Sequence, residues 1–291
     1  MNAFHLDPAM KVVVQGATGR MGSRHAQLMK DYGTQVVAGT AGASGRREDI
    51  GIPLFDDCAQ AVQATGATAS ITLVPPMDVL GAVTQALDAG IRLIVSPSEG
   101  MPVRDALVAV AKVREHGAHW VGPSTPGIAI PGRMKLGFIP DVSLLPGSLG
   151  VMSKSGTLSY EVCHRLARRG IGQSAWVGVG GDAAKGMRFA ELLPFFHDDA
   201  DTRAVLVLGE IGGDEEEELA QAMARSCFTK PVFVLLAGAS APEGVTMGHA
   251  GAMVHGGTGS MATKTRALRD VGAEVFTSIQ ALVDGVVASD V

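Results

Sequence analysis

One histidine in this chain is placed so that its ring could react. His249 lies in Met247-Gly248-His249-Ala250-Gly251-Ala252. Glycine and alanine neighbours give little steric cover, so the imidazole can meet groups brought by another domain or chain. Neutral imidazole is a competent nucleophile toward phosphorus, and a phosphohistidine divides one difficult transfer into two easier ones. The other seven of the eight histidines read as surface or hydrogen-bonded core residues.

Two further segments suit phosphate. Ser153-Lys154-Ser155-Gly156-Thr157-Leu158 stands at the end of a strand and opens a helix. Hydroxyls, a lysine and helix N-terminal amides together make an anion site. An ordinary N-cap needs one hydroxyl, whereas here Ser153, Ser155 and Thr157 crowd into five residues. The other segment is Gly209-Glu210-Ile211-Gly212-Gly213. A carboxylate at that strand end could accept a hydrogen bond from one imidazole nitrogen and leave the other to attack. The acids Glu215–Glu218 that follow read as a helix first turn favoured by the dipole, with no catalytic role.

A glycine loop points to a second ligand. Gln15-Gly16-Ala17-Thr18-Gly19-Arg20-Met21-Gly22 joins a strand to a helix. Glycines there let the chain turn tightly and bring backbone amides to a pyrophosphate at the helix N-terminus. NAD, FAD and CoA all carry an ADP-like moiety that such a loop could hold. A dehydrogenase presents an acid about 20 residues further on, for the ribose hydroxyls. This chain instead runs Gly39-Thr40-Ala41-Gly42-Ala43-Ser44-Gly45-Arg46-Arg47, with Glu48 the first acid. Two guanidiniums suit a phosphorylated ribose, as in CoA or NADP, better than NAD.

The elements that must position these residues alternate along the chain. Strands are expected at Lys11–Gln15, Gln35–Gly39, Ala69–Val74, Arg92–Val95 and His119–Val121, with helices at Arg20–Tyr32, Asp57–Ala64, Val79–Ala89 and Val103–His116. A stretch rich in proline and glycine follows, from Gly122 to Gly147. Alternation restarts with strands at Ser148–Met152, Ser174–Val179, Ala204–Leu208, Pro231–Leu236 and Glu274–Phe276. Helices are expected at Thr157–Arg169, Arg188–His197, Glu215–Cys227, Ser260–Val271 and Ser278–Val287. This is the pattern of two α/β domains with parallel sheets covered on both faces. We place a Rossmann-like domain at residues 1–130, a linker at 131–147 and a flavodoxin-like, doubly wound domain at 148–291.

Composition excludes several classes. Apolar residues make up 46% of the 291, enough for two cores. A net charge of −5 and only 2 Trp and 2 Tyr argue against a nucleic-acid binder, which needs a basic face or a stacking platform. The three cysteines, Cys58, Cys163 and Cys227, are too far apart for a zinc pattern and odd in number, so no metal site is expected and a reducing compartment is. No apolar run approaches a membrane span. The segment from Met1 to Lys11 lacks the layout of a signal peptide, and a cytoplasmic location is the expectation.

The four motifs in this order resemble the α subunit of succinyl-CoA synthetase. They are Gln15–Gly19, Ser153–Glu161, Gly209–Gly213 and Gly248–Ala252, supported by Ala64–Ser70, Glu99-Gly100, Gly178–Asp182 and Thr229–Pro231. The resemblance runs from about Lys11 to the C-terminus. It implies an acid–thiol ligase with a CoA-binding first domain and a second domain that carries the phosphohistidine. CoA would be lined by Gly16, Thr18, Gly19, Arg20, Met21 and Gly22, with Arg46, and by Pro97, Ser98 and Glu99. His249 would be phosphorylated and Glu210 would orient it, while Ser153, Ser155, Gly156 and Thr157 hold the phosphate. Tyr160 falls where the family contacts the organic acid. ATP or GTP with Mg²⁺ would bind an ATP-grasp domain on a β subunit, which makes this chain catalytically incomplete alone.

The sequence departs from the family at several places. Asn-Cys is replaced by Ser124-Thr125, and a CoA-contacting lysine by Ser44, for which Arg46 or Arg47 could compensate. The segment Asp182 to Met187 and the N-terminal residues also differ. A paralogue acting on another carboxylate, such as malate or a succinate analogue, fits these changes. Two other readings compete. Gly16 to Gly22 also resembles the loop of dihydrodipicolinate reductases, which use a nicotinamide. A non-catalytic CoA-binding regulatory subunit is the other.

Overall fold

Strands in this chain are apolar on both faces, which is what a parallel sheet between two helical layers demands. Val12, Val13 and Val14, in successive positions of one strand, are all fully buried. The computed structural model describes residues 3–41, 51–240, 248–249, 251–254, 259–289 and 291. It divides into two compact units, one of residues 1–139 with 184–187, the other of residues 140–183 with 188–291.

The first unit runs β1 (Lys11–Gln15), α1 (Arg20–Asp31), β2 (Gln35–Thr40), β3 (Leu54–Phe55), α2 (Cys58–Thr65), β4 (Ala69–Thr72), α3 (Val79–Asp88), β5 (Leu93–Val95), α4 (Val103–Glu115) and β6 (His119–Val121). Its strands stand in the order β3-β2-β1-β4-β5-β6, all parallel. The core lies between the sheet and α2, α3 and α4, around Val13, Val83, Ile94 and Trp120. Strand β3 has two residues, too few for periodicity to reveal.

Part of the proline- and glycine-rich stretch is ordered, not broken. Strands β7 (Gly127–Ile130) and β8 (Met134–Gly137) form an antiparallel hairpin within residues where only turns were expected. Gly127 and Gly137 face each other across it, and the close backbone approach leaves no room for a Cβ on either. These glycines allow strand pairing, so their turn-forming reputation misleads.

The second unit runs β9 (Pro146–Ser153), α5 (Gly156–Ala167), β10 (Gln173–Gly178), α6 (Phe189–Asp198), β11 (Ala204–Glu210), α7 (Glu215–Ser226), β12 (Val232–Ala237), α8 (Met261–Asp270), β13 (Glu274–Phe276) and α9 (Ile279–Ala288). Its parallel strands follow the order β10-β9-β11-β12-β13. Counted from its own first strand that is 2-1-3-4-5, the flavodoxin-like order, whose switch point lies between β9 and β11. Among the described residues no helix is long and apolar enough to cross a membrane.

Candidate active site

In the first unit, β1 ends at Gln15 and the chain turns through Gly16 at φ +79°. A side chain at Gly16 would strike the Leu73 carbonyl, and one at Gly22 would strike the carbonyl of Gly16. The loop therefore closes as tightly as a glycine backbone permits. Helix α1 is N-capped by Gly19 with no side-chain cap, so its first-turn amides and partial positive charge are offered to an anion. This end of β1 adjoins β4, where the strand order reverses, and ligands of open α/β sheets bind at such a point.

The other residues assigned to this cleft cluster at neighbouring strand ends. Pro97, Ser98 and Glu99 follow β5, with Pro97 buried and Glu99 exposed. The Ser98 hydroxyl donates to the Val74 carbonyl at 2.6 Å, and its own carbonyl accepts from the Ser124 amide at 3.0 Å. Thr18 is half-buried, and Gly19, Arg20 and Met21 are exposed on the loop. Ser124 sits at φ +60°, the left-handed region in which asparagine is better tolerated than serine. Strand β2 ends in Thr40 with no carboxylate at its tip, so the residues fit a phosphate-rich nucleotide better than a dinucleotide held by its ribose. Arg46, with Ser44 and Arg47, lies outside the described residues.

In the second unit, His249 and Glu210 come together. The imidazole Nδ1 lies 2.7 Å from Glu210 Oε2. Glu210 ends β11 and is 9% exposed, while the ring is 31% exposed. The ring packs against Gly181, beyond the end of β10, where a Cβ would lie 2.5 Å from Nδ1. Nearby, the Gly251 amide donates to the Gly181 carbonyl at 3.2 Å and the Gly212 amide donates to the Gly259 carbonyl at 2.8 Å. Gly181 follows β10 and Glu210 ends β11, and β9 lies between those strands. The serine loop at the end of β9 is thus flanked by both contacts of the histidine.

Within that loop the hydroxyls have separate tasks. Ser153 is fully buried, donating to the Ser155 carbonyl at 2.8 Å and accepting the Ser155 amide at 3.1 Å. Ser155 caps α5 by accepting the Leu158 amide at 3.3 Å. Gly156 opens α5 and Thr157 is exposed in its first turn. Tyr160, one turn on, packs its ring 6.2 Å from that of Trp176, and burial pushes its phenol up to about 12. It therefore stays neutral at physiological pH.

The acid run forms the first turn of α7, as expected, and its burial is what the structure adds. Glu215 and Glu216 are buried, and Glu216 has no exposed surface. Lys154 lies 2.8 Å from Glu216 Oε1 and 3.6 Å from Glu215 Oε2. Lys264, fully buried, pairs with Glu216 and lies 3.2 Å from Glu217. Arg188 takes Glu218 at 2.7 Å. Burial alone would lower the Lys154 pKa, but Glu216 and Glu215 outweigh it and raise it. Burial would likewise raise that of Glu216, yet Lys154 and Lys264 hold it below the usual value. No local pattern announces this network, because an acid run at a helix start reads the same whether solvated or buried.

A glycine turn shaped for a nucleotide and a carboxylate-paired histidine beside a serine-rich helix start, each at the switch point of its sheet, define a group-transfer enzyme. Known proteins give the family. A model described as CoA binding domain matches residues 7–100, and one described as CoA-ligase matches residues 152–274. The chain is 44% identical over 277 residues to succinate–CoA ligase [ADP-forming] subunit alpha 1 of Archaeoglobus fulgidus, covering 95% of this chain and 94% of the relative. It is also 44% identical over 269 residues to the ADP-forming sulfoacetate-CoA ligase subunit SauD of Bilophila wadsworthia, covering 91% and 92%. An ATP citrate lyase structure from Methanothrix soehngenii superposes with a TM-score of 0.84 at 23% identity, covering 98% of this chain and 51% of that one. The chain thus spans about half of that solved protein. It belongs to the α-subunit family of succinate–CoA ligase-type enzymes, acid–thiol ligases with an N-terminal CoA-binding domain. The reductase and regulatory readings are not favoured.

Proposed function

We propose that this chain is the α subunit of a ligase that joins a short, doubly anionic carboxylic acid to CoA, with His249 as the carrier of phosphate. The observation that carries this reading is the 2.7 Å contact between His249 Nδ1 and Glu210. With Nδ1 engaged by a carboxylate, Nε2 becomes the nucleophilic nitrogen. The nitrogen–phosphorus bond forms as the bond to the leaving nucleoside diphosphate oxygen breaks, and that oxygen keeps the electron pair. The Nδ1 proton remains in the hydrogen bond to Glu210, whose charge offsets the cationic ring.

Ser155, Gly156 and Thr157 at the start of α5, with Ser153 bracing the turn, suit the phosphoryl oxygens. The phosphoryl group then passes to a carboxylate oxygen of the acid, and CoA contributes the thiol that displaces phosphate from the acyl phosphate. Gly16, Thr18, Gly19, Arg20, Met21 and Gly22, with Pro97, Ser98, Glu99 and Arg46, would hold CoA. Tyr160 is assigned to the acid's surroundings by family resemblance. A partner β subunit with an ATP-grasp domain would supply ATP or GTP with Mg²⁺.

The acid class rests on the relatives, whose names give succinate and sulfoacetate at the same 44% identity. Both acids pair one carboxylate with a second anionic group on a short chain. Malate shares that character.

The test is labelling with γ-labelled nucleoside triphosphate in the presence of the partner subunit. The expected product is a phosphoprotein stable to base and labile to acid, lost completely in His249→Ala. Full labelling in that variant, or label only on serine or threonine, would place the chemistry elsewhere.

A further inference from the structure

The last amide of a strand that outruns its neighbour needs a substitute acceptor. Strand β11 outruns β9 at the switch point. The Lys154 amide still donates to the Leu208 carbonyl at 3.0 Å, after which the chain turns away into α5. The next β11 amide facing that side is that of Glu210. Its acceptor is a side chain, Glu216 Oε1, at 3.1 Å. The carboxylate reaches this place because residue 209 is glycine; a Cβ there would lie 2.5 Å from Oε1.

The same carboxylate receives Lys154 from the serine loop at 2.8 and 3.0 Å and Lys264 from α8. Helix α8 follows directly on Gly259, whose carbonyl accepts the Gly212 amide. Glu216 therefore joins four pieces: the end of β11, the serine loop, its own helix α7, and helix α8. The charged groups around it are Lys154, Glu210, Glu215, Glu217 and Lys264.

We propose that Glu216 is a positioning residue for the histidine centre, fixing the backbone of Glu210 and, through its carboxylate, the orientation of the His249 ring. This rests on the reading of His249 as phosphate carrier. Glu216 touches no reacting atom. Its effect is on aim, and a misplacement on the order of 1 Å can cost a catalytic step about 100-fold.

The test uses the complex with the partner subunit and three variants. Glu216→Gln keeps the shape and removes the charge. Gly209→Ala keeps every charge but pushes the carboxylate off the Glu210 amide. Val283→Ala, a core truncation in α9, supplies a control for lost stability. Each is measured for the rate of acid-labile labelling at His249, the pH dependence of that rate, KM for CoA and Tm. Glu216→Gln and Gly209→Ala are expected to label His249 between about 10- and 100-fold more slowly. Their pH profile should be displaced and KM for CoA unchanged, while Val283→Ala labels at the wild-type rate.

Wild-type rates and pH profiles in both site variants would overturn the proposal. So would a slowing no greater than that of Val283→Ala at equal loss of Tm. Failure of both site variants to fold would assign the network to folding alone and also overturn it. Absence of label on His249 in the wild type is a different result, since it removes the phosphate-carrier reading itself.

Discussion

The two units place their loops at equivalent points of their sheets yet support them with opposite chemistry. Beneath the glycine loop of the first unit the buried polar groups are neutral. Ser70 donates to Gln15 at 2.8 Å, Gln15 donates to the Ala82 carbonyl at 2.9 Å, and Thr72 and Trp120 both donate to Ser96 at 2.8 Å. Beneath the histidine of the second unit the support is ionic, with Lys154 and Lys264 closed on Glu216. The contrast follows the tasks proposed for the loops. A cleft that binds and releases its ligand needs only a fixed shape, which neutral hydrogen bonds provide. A side chain that gains and loses a phosphoryl group undergoes a change of local charge. Buried ions around it make a rigid electrostatic frame, at a cost in desolvation that only full pairing offsets.

The sharpest way to break this comparison is to unpair each support in turn. Lys264→Met removes one cation and leaves Glu216 with Lys154 alone, and losing one partner of a buried pair costs about 3–5 kcal/mol. The second unit should show a loss of that size in denaturant unfolding, with the first unit unaffected. A loss under about 1 kcal/mol would mean that the network is solvated in solution, as exposed ion pairs are.

Acid should separate the units next. Glu216 is held below its ordinary 4.5, so its contribution is present above that pH and is lost as pH falls through the depressed value. Lys154, held above 10.5, contributes fully below that pH and loses its contribution only as pH rises through the raised value. Neither group changes its charge between pH 7 and 5, so neither alters the stability of the second unit in that window. In the first unit, burial, followed by Arg24 and Lys135, lowers the pKa of His25 below 6.5. Its contribution is present above 6.5 and fades as pH falls below. Hydrogen exchange between pH 7 and 5 should show the first unit loosening while the second holds, and His25→Gln should abolish that step. A uniform response of both units would contradict the assignment.

The smallest effect is expected from Thr72→Val, which removes one neutral bond while Ser96 keeps the indole donor of Trp120. About 1 kcal/mol is the scale of such a loss, readable as a shift in the denaturation midpoint of the first unit. A cost matching that of Lys264→Met would erase the distinction drawn between the two supports.

By itself the sequence determined the alternation of strands and helices, the glycine turn after Gln15, and the motifs around Ser153, Glu210 and His249. These are short-range properties: burial on both faces dictates apolar runs, and a tight turn dictates glycine. The tertiary structure alone decided which residues stand behind them. Lys154 and Lys264 lie 62 and 48 positions from Glu216, and nothing in the local pattern of α7 or α8 shows that their side chains meet. The hairpin of Gly127–Ile130 with Met134–Gly137 was hidden likewise, because glycine serves a turn and a close strand pair equally well. Burial of a charge is set by what the fold brings over it, and the pairing of β9 with β11, not the order of residues, brings Lys154 to Glu216.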